Sequence, residues 1–392
     1  MSITRVVLAT GIYPPDIGGP ATYARELARE LIENGVAVTV VTYARRNCEL
    51  RIANCEKQIG NSDDKWLIIR VPFAGGPLLR WWRYARALKN YGSDADIIYA
   101  FSSVSCGIPL WLAGLRKPKK ILRLGGDFLW ERYTDLGGEK SLREFHENSF
   151  WFLVFSFWMK RLLNTFDYIV FSTRFQEEIY EKHYKRLPRH SVIENAAPSP
   201  NPLPLRGARA SKPHDPFRLL WMGRMVGFKN LPALIEAISD QRLATSVSMT
   251  LVGDGPLYSK LKAQSSKPRA QSSKLGVSIT FHPPVHGDEK QKIFSEHDLL
   301  ILPSLTEISP NVALEARAAG LPVLLTEETG LSEVLSQGIV LRSMRTAKEI
   351  ASAIEGVMKN YSTIASGVSE PPPDRSWERV TEEHLQLFNS IL

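Results

Sequence analysis

The sequence predicts an α/β protein with two domains, each built around a doubly wound parallel sheet. Short apolar, β-branched runs alternate with segments of helical periodicity from one end of the chain to the other. These runs are apolar on both faces, which is typical of parallel strands covered by helices. The alternation stops once, at residues 196–216, where six prolines exclude a helix or a central strand. We therefore expect a linker there, and a cleft between two α/β domains of similar size.

Length and composition exclude several classes of protein. The chain has 392 residues, more than one typical core holds, and its 44% hydrophobic and 23% charged content is that of a folded globular protein. The longest apolar run, Phe150 to Met159, is half of the ~20 residues that a membrane-spanning helix needs. The sequence opens on a strand without a secretory signal, so we expect a cytoplasmic protein. Its three cysteines, Cys48, Cys55 and Cys106, are expected to stay reduced.

Thirteen runs are predicted to be strands. Those of the first half are Arg5–Ala9, Ala37–Tyr43, Trp66–Val71, Asp96–Phe101, Ile121–Leu124, Tyr168–Ser172 and Ser191–Ile193. Those after the linker are Arg218–Met222, Ser248–Val252, Val277–Phe281, Leu299–Leu302, Pro322–Leu325 and Ile339–Leu341. Ala24, Leu27, Ala28 and Leu31 share one helical face and predict a helix over Pro20–Asn34. We place the first domain at residues 1–200, the second at 201–375 and a C-terminal helix at 376–392.

Two glycine-containing turns lie where a strand leads into a helix, the place where open α/β sheets bind ligands. Gly18 and Gly19 let the backbone approach an anion at the helix that begins at Pro20, although a tight structural turn would look the same. Gly223 opens a loop in which Arg224 and Lys229 suit a diphosphate, the alternative being solvated surface charges. A third turn, Val252 to Pro256, is predicted to be a plain β-turn.

A fourth segment joins an anion site to two carboxylates. Ser309 and Pro310 are predicted to cap and begin a helix that ends near Ala319 at Gly320. The amides near Ser309–Val312 are expected to be free to hold phosphate, and the predicted donor-binding residues there are Ser309, Pro310, Asn311 and Val312. Glu307 precedes this helix and Glu315 lies inside it, so both can accept hydrogen bonds from sugar hydroxyls. The alternative is an ordinary capped helix with surface glutamates.

Taken together, these motifs resemble family 4 glycosyltransferases with the GT-B fold. The family's Pro-Ser-x-x-Glu-x7-Glu-Ala segment reads Pro303-Ser304-Leu-Thr-Glu307 through Glu315-Ala316, and the basic loop and the opening Tyr-Pro-Pro-x-x-Gly-Gly-Pro loop match as well. The resemblance covers nearly the whole chain. It implies two Rossmann-like domains facing a central cleft, with the C-terminal helix packed back on the first domain. It also implies transfer from a nucleotide-diphosphate sugar with retained anomeric configuration, without a metal or another cofactor.

The same resemblance assigns roles to individual residues. Arg224 and Lys229 would neutralise the nucleotide diphosphate as it leaves. Glu307 would contact the donor sugar, Glu315 the ribose hydroxyls, and the Gly19 amide the diphosphate. The phosphate itself would assist deprotonation of the acceptor.

One position departs from the family pattern. Many members carry a histidine after the fifth strand of the first domain, whereas this chain has no histidine before His146. Asp127 stands in the corresponding stretch and could position the sugar or the acceptor, or simply cap a helix. The missing histidine leaves open two alternative functions: a catalytically silent carbohydrate- or lipid-binding scaffold, and a nucleotide-sugar epimerase of the same fold. Asp94-Ala-Asp96 precedes a strand, so we interpret it as a turn and predict no metal site.

Charge is unevenly distributed along the chain. Residues 1–200 carry 28 Lys and Arg against 21 Asp and Glu, whereas residues 201–392 carry 21 against 20. Basic and aromatic residues mix in Leu78–Lys89, Arg116–Lys120 and Phe150–Arg161, a pattern that suits an anionic membrane surface. Alternatively, Trp81 and Trp82 pack in the core and Phe150–Phe157 is a buried helix. No nucleic-acid recognition motif accompanies these segments.

The basic first half is the acceptor side in the resembled family. We therefore expect a glycan or a lipid-phosphate-linked acceptor, peripheral association with the inner face of a membrane, and a role in cell-envelope or polysaccharide synthesis.

Overall fold

The computed structural model describes residues 3–16, 18–44, 56–59, 66–197, 213–239, 243, 247–265, 278–368 and 375–392. It divides into two compact units. Unit 1 contains Met1–Leu129, His146–Ala196 and Ser376–Leu392, and unit 2 contains Trp130–Phe145 and Ala197–Arg375. The chain passes from one unit to the other at Ala196, inside the predicted linker, whose residues 198–212 lie outside the described residues.

The sheet of unit 1 has eight strands in the order β3-β4-β2-β1-β5-β6-β7-β8. They are β1 (Arg5–Ala9), β2 (Ala37–Ala44), β3 (Glu56–Ile59), β4 (Leu67–Pro72), β5 (Ile97–Ala100), β6 (Lys119–Leu124), β7 (Tyr168–Phe171) and β8 (Arg189–Val192). All neighbours pair in parallel except β3 with β4. The seven predicted strands are confirmed, whereas the antiparallel edge strand β3 was not predicted. Its sequence, Glu-Lys-Gln-Ile, lacks the apolar run that identifies a buried strand.

The sheet of unit 2 has six parallel strands in the order β11-β10-β9-β12-β13-β14. They are β9 (Phe217–Arg224), β10 (Val247–Asp254), β11 (Ser278–His282), β12 (Leu299–Leu302), β13 (Val323–Thr326) and β14 (Val340–Arg342). In each sheet the chain starts in the middle and builds outward in both directions. This order confirms the predicted doubly wound α/β fold.

Helices cover both sheets. The helices before the predicted linker are α1 (Gly19–Glu33), α2 (Gly76–Gly92), α3 (Gly107–Ala113), α4 (Phe128–Asp135), α5 (Leu142–Asn148), α6 (Phe150–Leu163) and α7 (Arg174–His183). The remaining helices are α8 (Leu231–Ile238), α9 (Tyr258–Ser265), α10 (Gly287–Ser295), α11 (Asn311–Ala318), α12 (Glu333–Ser336), α13 (Ala347–Lys359), α14 (Tyr361–Gly367) and α15 (Trp377–Ile391). Among the described residues, no helix has the length and apolar character needed to cross a membrane.

Two segments depart from simple chain order. Residues 130–145, which we placed in the first domain, belong to unit 2, so that part of the predicted division is wrong. Residues 376–392 form α15, which lies in unit 1 against α1. The chain thus leaves unit 1 after Leu129, returns at His146, and comes back a last time at its C-terminal end.

Buried polar side chains fix α15 to unit 1. His384 donates through Nδ1 to the Val380 carbonyl at 2.7 Å, and its Nε2 lies 3.0 Å from the Tyr99 hydroxyl and 3.4 Å from that of Tyr23. The Phe388 ring meets the Tyr99 ring edge-on with centroids 5.5 Å apart. Burial raises the pKa of Tyr99 to about 12, so its hydroxyl stays protonated and can donate to His384.

We expect Phe388→Ala to destabilise the protein strongly. Phe388 has no exposed surface, and removing a buried aromatic ring costs about 3–5 kcal/mol through lost burial and the cavity left behind. The urea midpoint of unfolding should fall accordingly. Gln386→Ala, on the exposed side of the same helix, is the matched control and should leave the midpoint unchanged. Equal midpoints for the two variants would contradict the packing of α15 on unit 1.

Candidate active site

The two motifs of unit 2 that the sequence predicts to form a donor site follow neighbouring strands. β9 pairs directly with β12, at the point where the strand order of the sheet reverses. The loops after both strands therefore lie side by side at the carboxyl edge, where open α/β sheets bind ligands. One backbone hydrogen bond ties the loops together, from the Leu305 amide to the Phe228 carbonyl at 2.8 Å.

A nearly buried ion pair occupies the junction of these loops. Lys229 Nζ donates to Glu307 Oε1 at 2.5 Å, and the Ser304 hydroxyl donates to the same oxygen at 2.6 Å. The side chains of Lys229 and Glu307 are 16% and 5% exposed. Two predicted site residues from separate motifs are therefore in direct contact, and Ser304 of the Pro-Ser motif orients the carboxylate.

Backbone contacts hold Glu307 in place. Its amide donates to the Glu328 carbonyl at 2.9 Å, and its carbonyl accepts from the Gly330 amide at 2.8 Å. The Thr329 hydroxyl donates to the same carbonyl at 3.0 Å. The segment after β13 thus fixes the position from which the Glu307 carboxylate reaches Lys229.

The residues before Lys229 form a single 3₁₀ turn, Gly227–Lys229, packed against the end of α4. The Gly227 amide donates to Asp135 Oδ1 at 3.2 Å. A Cβ atom at Gly227 would lie 2.2 Å from the Thr134 carbonyl oxygen, so only glycine allows this approach. The next ring, Phe228, packs on Trp130 with centroids 5.0 Å apart. Residues 130–145 therefore pack against the basic loop and hold Gly227 and Phe228 in position.

Polar contacts attach the rest of this segment to unit 2. The Leu142 amide donates to Thr306 Oγ1 at 2.9 Å, and Arg345 Nη1 donates to Glu144 Oε1 at 2.7 Å. The Arg345 guanidinium lowers the pKa of Glu144. Burial raises the pKa of Glu328, against the opposing effect of Arg143, whose Nε lies 3.7 Å from the Glu328 carboxylate. Neither α4 nor α5 carries a glycine-rich turn or a motif of the resembled family, so the sequence did not predict this support.

The helix after Glu307 starts one residue later than expected. α11 begins at Asn311 with Pro310 at the N-cap position, and no side-chain hydrogen bond caps it, so the prediction of Ser309 as the cap is wrong. Pro310 has φ −79° and ψ 89°, which keeps it outside the helix. The amides of Asn311 and Val312 come first in α11, at the positive end of the helix dipole. Gly320, with φ +77°, ends the helix as predicted.

Glu315 pairs with a lysine that the sequence analysis did not identify. Lys290 of α10 donates its ammonium to the Glu315 carboxylate, and both side chains are about three-quarters buried. α10 carries no motif, and only the three-dimensional packing brings Lys290 to α11. The second carboxylate of the site is therefore held by a cation, as the first is held by Lys229.

Close backbone contacts bring the ends of β9 and β10 together. Arg224 is exposed at the end of β9, opposite Asp254 of β10. A Cβ atom at Gly253 would lie 1.9 Å from the Gly223 carbonyl oxygen, and one at Gly255 would lie 2.4 Å from that of Met225. The turn that we interpreted as a plain β-turn thus requires glycine for packing against the basic loop.

The remaining predicted site residues belong to unit 1. Gly18, with φ +152°, occupies the N-cap of α1, and its carbonyl accepts from the Ala21 amide at 3.0 Å. Gly19 is the first residue of that helix. A Cβ atom at Gly18 would lie 2.6 Å from Cδ1 of Ile12, so the turn itself favours glycine.

Asp127 is buried in a polar cluster of unit 1. The Tyr180 hydroxyl donates to Asp127 Oδ2 at 2.9 Å, and His146 Nε2 lies 2.8 Å from the same oxygen. The side chains of His146 and Asp127 are 0% and 2% exposed. The Asp127 carboxylate therefore faces protein groups. Its contact with His146 connects the segment before residue 130, where the chain leaves unit 1, to the segment where it re-enters. A direct role in the reaction stays a prediction.

No cluster of three or more His, Cys, Asp or Glu side chains that could hold a metal ion occurs among the described residues. Cys106 is buried, whereas Cys48 and Cys55 lie outside the described residues.

Comparison with known proteins agrees with this architecture. The sequence profile of Glycosyltransferase Family 4 matches residues 17–198, and that of Glycosyl transferases group 1 matches residues 216–360. A D-inositol 3-phosphate glycosyltransferase of Geodermatophilus obscurus is 28% identical over 185 residues, which are 45% of this chain and 41% of the relative. The alignment thus spans less than half of that relative's length.

Solved structures match over the whole chain. Sucrose-phosphate synthase from Thermosynechococcus elongatus superposes with a TM-score of 0.76 at 18% identity, covering 99% of both chains. Anabaena HepE in complex with UDP and glucose gives a TM-score of 0.70 at 16% identity, covering 99% of this chain and 100% of HepE. At these identities the likeness shows the fold, whereas the two profiles, which together cover most of the chain, show the family. The chain therefore belongs to the family 4, group 1 glycosyltransferases and has the GT-B fold.

Proposed function

We propose that this glycosyltransferase transfers a sugar from a nucleoside-diphosphate sugar to a glycan or a lipid-phosphate-linked acceptor, with retention of anomeric configuration. The proposal includes independence from a bound metal or another cofactor, peripheral association with the inner face of a membrane, and a place in cell-envelope or polysaccharide synthesis. The observation that carries it is the contact of Lys229 with Glu307 beside the first turn of α11.

Lys229 is suited to stabilise a leaving diphosphate. Its ammonium has three donors, of which Glu307 takes one, so a phosphate oxygen can take another without breaking the ion pair. Negative charge on the diphosphate grows as the bond to the sugar breaks. A nearby cation held in a largely buried position then stabilises the transition state more than the bound donor. Arg224, exposed at the end of β9, would provide a second cation in the same loop.

The first turn of α11 would hold the phosphate, and the two glutamates would hold the sugars. The positive end of the helix dipole favours an anion beside Asn311 and Val312, the first two residues of α11. Glu315 would accept hydrogen bonds from the ribose, while the contact with Lys290 orients its carboxylate. Glu307 would accept from hydroxyls of the transferred sugar, with Ser304 fixing the position of one of its oxygens.

The residues of unit 1 enter this proposal in two ways. The Gly19 amide at the start of α1 would contact the diphosphate, with Gly18 allowing the turn. Asp127 would act as a positioning residue, since its carboxylate is bound to Tyr180 and lies beside His146. Proton removal from the acceptor would fall to the departing phosphate.

The names of relatives support a nucleotide-sugar donor and a phosphorylated acceptor. One solved structure of similar fold contains UDP and glucose. The relative from Geodermatophilus obscurus is named for D-inositol 3-phosphate, a phosphorylated acceptor. A lipid-phosphate-linked glycan would present the same kind of group to the enzyme.

One prediction of the proposed function concerns binding of the nucleotide-sugar donor. Glu315→Gln should weaken donor binding about 10- to 100-fold, because the ribose loses a charged acceptor whose hydrogen bonds are worth about 1.5–3 kcal/mol. Isothermal calorimetry with a panel of UDP-, GDP- and ADP-sugars would first identify the donor and then measure the change. Glu382→Gln, exposed on α15, is the control. Equal affinity of the Glu315 variant and the native chain would contradict the assignment.

The second prediction concerns catalysis by Lys229. Lys229→Met should lower kcat about 100-fold with a smaller change in donor affinity, because its charge acts mainly in the transition state. The change also leaves a nearly buried carboxylate unpaired, and breaking a buried pair costs about 3–5 kcal/mol. The double variant Lys229→Met/Glu307→Gln should therefore recover stability but not kcat. A normal kcat with a raised KM in the single variant would restrict Lys229 to binding.

The third prediction concerns the support of the basic loop. Gly227→Ala forces a Cβ atom against the Thr134 carbonyl, so the turn must shift and move Lys229. We expect a loss of about 1–3 kcal/mol of stability, typical of overpacking, together with a reduced kcat. Gly356→Ala in α13 is the control, because a Cβ atom there meets open space. Full activity in the Gly227 variant would show that the loop tolerates displacement.

A further inference from the structure

α6 presents its apolar side away from the protein. Within Phe150–Leu163 only Met159 and Leu163 are buried, and Phe152 and Ser156 are half-buried. These four positions follow one another at intervals of four, three and four residues, so they lie on the inner side of the helix. The interpretation of Phe150–Phe157 as a buried helix is therefore wrong.

The outer side of α6 is a dense apolar surface. Seven of the nine residues from Phe150 to Trp158 are exposed large apolar side chains. Phe150 is 75% exposed, Leu153 73% and Trp158 68%. Soluble proteins rarely leave so many aromatic side chains in water on one helix, and such patches mark interaction surfaces.

The apolar surface continues on two neighbouring helices of unit 1. β5, β6 and β7 are adjacent in the sheet, and right-handed crossovers place α2, α3 and α6 on the same face of it. Leu78 and Trp82 of α2 are 79% and 56% exposed, and Trp111 of α3 is 61% exposed. α2 packs on α3, and Phe166, just after α6, touches the start of α3 at Gly107.

The charges on α2, on α6 and on residues 114–120, which follow α3, have one sign. Residues 76–92, 107–120 and 150–163 contain ten Lys and Arg and no Asp or Glu, although the whole chain has 41 acidic residues. Several of the arginines lie over aromatic rings of the same surface. Arg80 lies 4.1 Å from the Phe73 ring centroid, and Arg86 and Arg161 each lie 5.7 Å from those of Trp82 and Phe157.

We propose that α2, α3 and α6 form a membrane-docking face, and that α6 inserts its outer side into the headgroup region of an anionic bilayer. This deepens the membrane association in the proposed function and rests on it. At ~1.5 Å per residue, α6 is far shorter than the ~30 Å hydrocarbon core, so it lies in the plane of the interface. Exposed aromatic residues bury into that interface, while the surrounding cations meet anionic headgroups.

The charge pattern favours a membrane over a second copy of the chain. A two-fold dimer through this face would place two identical surfaces opposite each other. Each surface carries cations without acidic partners on the same elements, so the contact would be repulsive. Anionic lipid supplies the complementary charge together with an apolar layer for the aromatic side chains.

Vesicle binding tests this proposal directly. The full chain should co-sediment with vesicles of 70% phosphatidylcholine and 30% phosphatidylglycerol at low salt, and it should not co-sediment with pure phosphatidylcholine. The triple variant Leu153→Gln/Phe157→Gln/Trp158→Gln should bind at least tenfold more weakly. Val334→Gln/Leu136→Gln, two exposed apolar residues of unit 2, is the matched control and should bind like the native chain.

A charge variant tests the contribution of the basic residues to membrane binding. Arg86→Gln/Arg116→Gln/Lys117→Gln should weaken binding and flatten its salt dependence, because each basic residue near the surface contributes separately. Circular dichroism and thermal melting establish that every variant is folded. Binding that is unchanged in the Leu153 triple variant, or no binding of the native chain at low salt, would overturn the proposal. A dimer in size-exclusion chromatography that this variant dissociates would assign the face to a second copy instead.

The experiment separates this inference from the donor chemistry. Glu315→Gln should bind vesicles like the native chain, and the Leu153 triple variant should bind the nucleotide-sugar donor like the native chain. Loss of donor binding in the Leu153 triple variant would contradict the separation of the docking face from the donor site. Intact vesicle binding together with no measurable donor binding by the native chain would reject the proposed function and leave the docking face standing.

Discussion

The arrangement of the candidate site depends on the nearly buried ion pair between Lys229 and Glu307. Removing two charges from water is costly, and the cost is recovered only when the partners are held in good geometry with additional hydrogen bonds. Here Ser304 donates to the same carboxylate oxygen, and the backbone of Glu307 is fixed by residues 328–330. Behind Lys229, the Gly227 turn is fixed by Asp135 and Thr134. Two loops that follow neighbouring strands are thereby kept at one spacing before any ligand arrives.

This constraint explains why a segment from the first half of the sequence belongs to unit 2. Trp130 packs on Phe228, and the Leu142 amide donates to the Thr306 hydroxyl, so residues 130–145 pack against the loops that carry Lys229 and Glu307. Asp127 and His146, which flank this segment in the sequence, are in contact inside unit 1. Asp127, which stands where many members of the resembled family have a histidine, thus connects the segment at which the chain leaves unit 1 to the segment at which it re-enters.

The sequence predicts an element well where its hydrophobic pattern alone determines the environment that the element occupies in the fold. Strands such as Leu299–Leu302, with every residue buried, could be predicted to the residue, because a run apolar on both faces has one stable environment. The two glutamates of the predicted donor motif were singled out because their spacing around a helix start is distinctive, and their role in donor binding stays a prediction. The partner Lys290 could not be identified, since a lysine on a polar helix is the commonest surface feature. The edge strand β3 and the cap of α11 were missed for a related reason: pairing at a sheet edge and the ψ of Pro310 depend on tertiary contacts.

The two units also differ in how their cations are balanced, and this separates two kinds of electrostatic interaction. In unit 2, Lys229 and Lys290 are each paired with a glutamate, so their charges act over the length of a hydrogen bond. Salt screens such largely buried contacts only weakly. In unit 1, the cations of α2 and α6 have no acidic residue on their own helices and are spread around an apolar surface. Their attraction to an anionic surface extends over about 10 Å and falls as ionic strength rises. If the proposed docking face binds a membrane, salt would weaken that binding while the geometry around Glu307 stays intact, because the two interactions share neither residues nor dielectric environment.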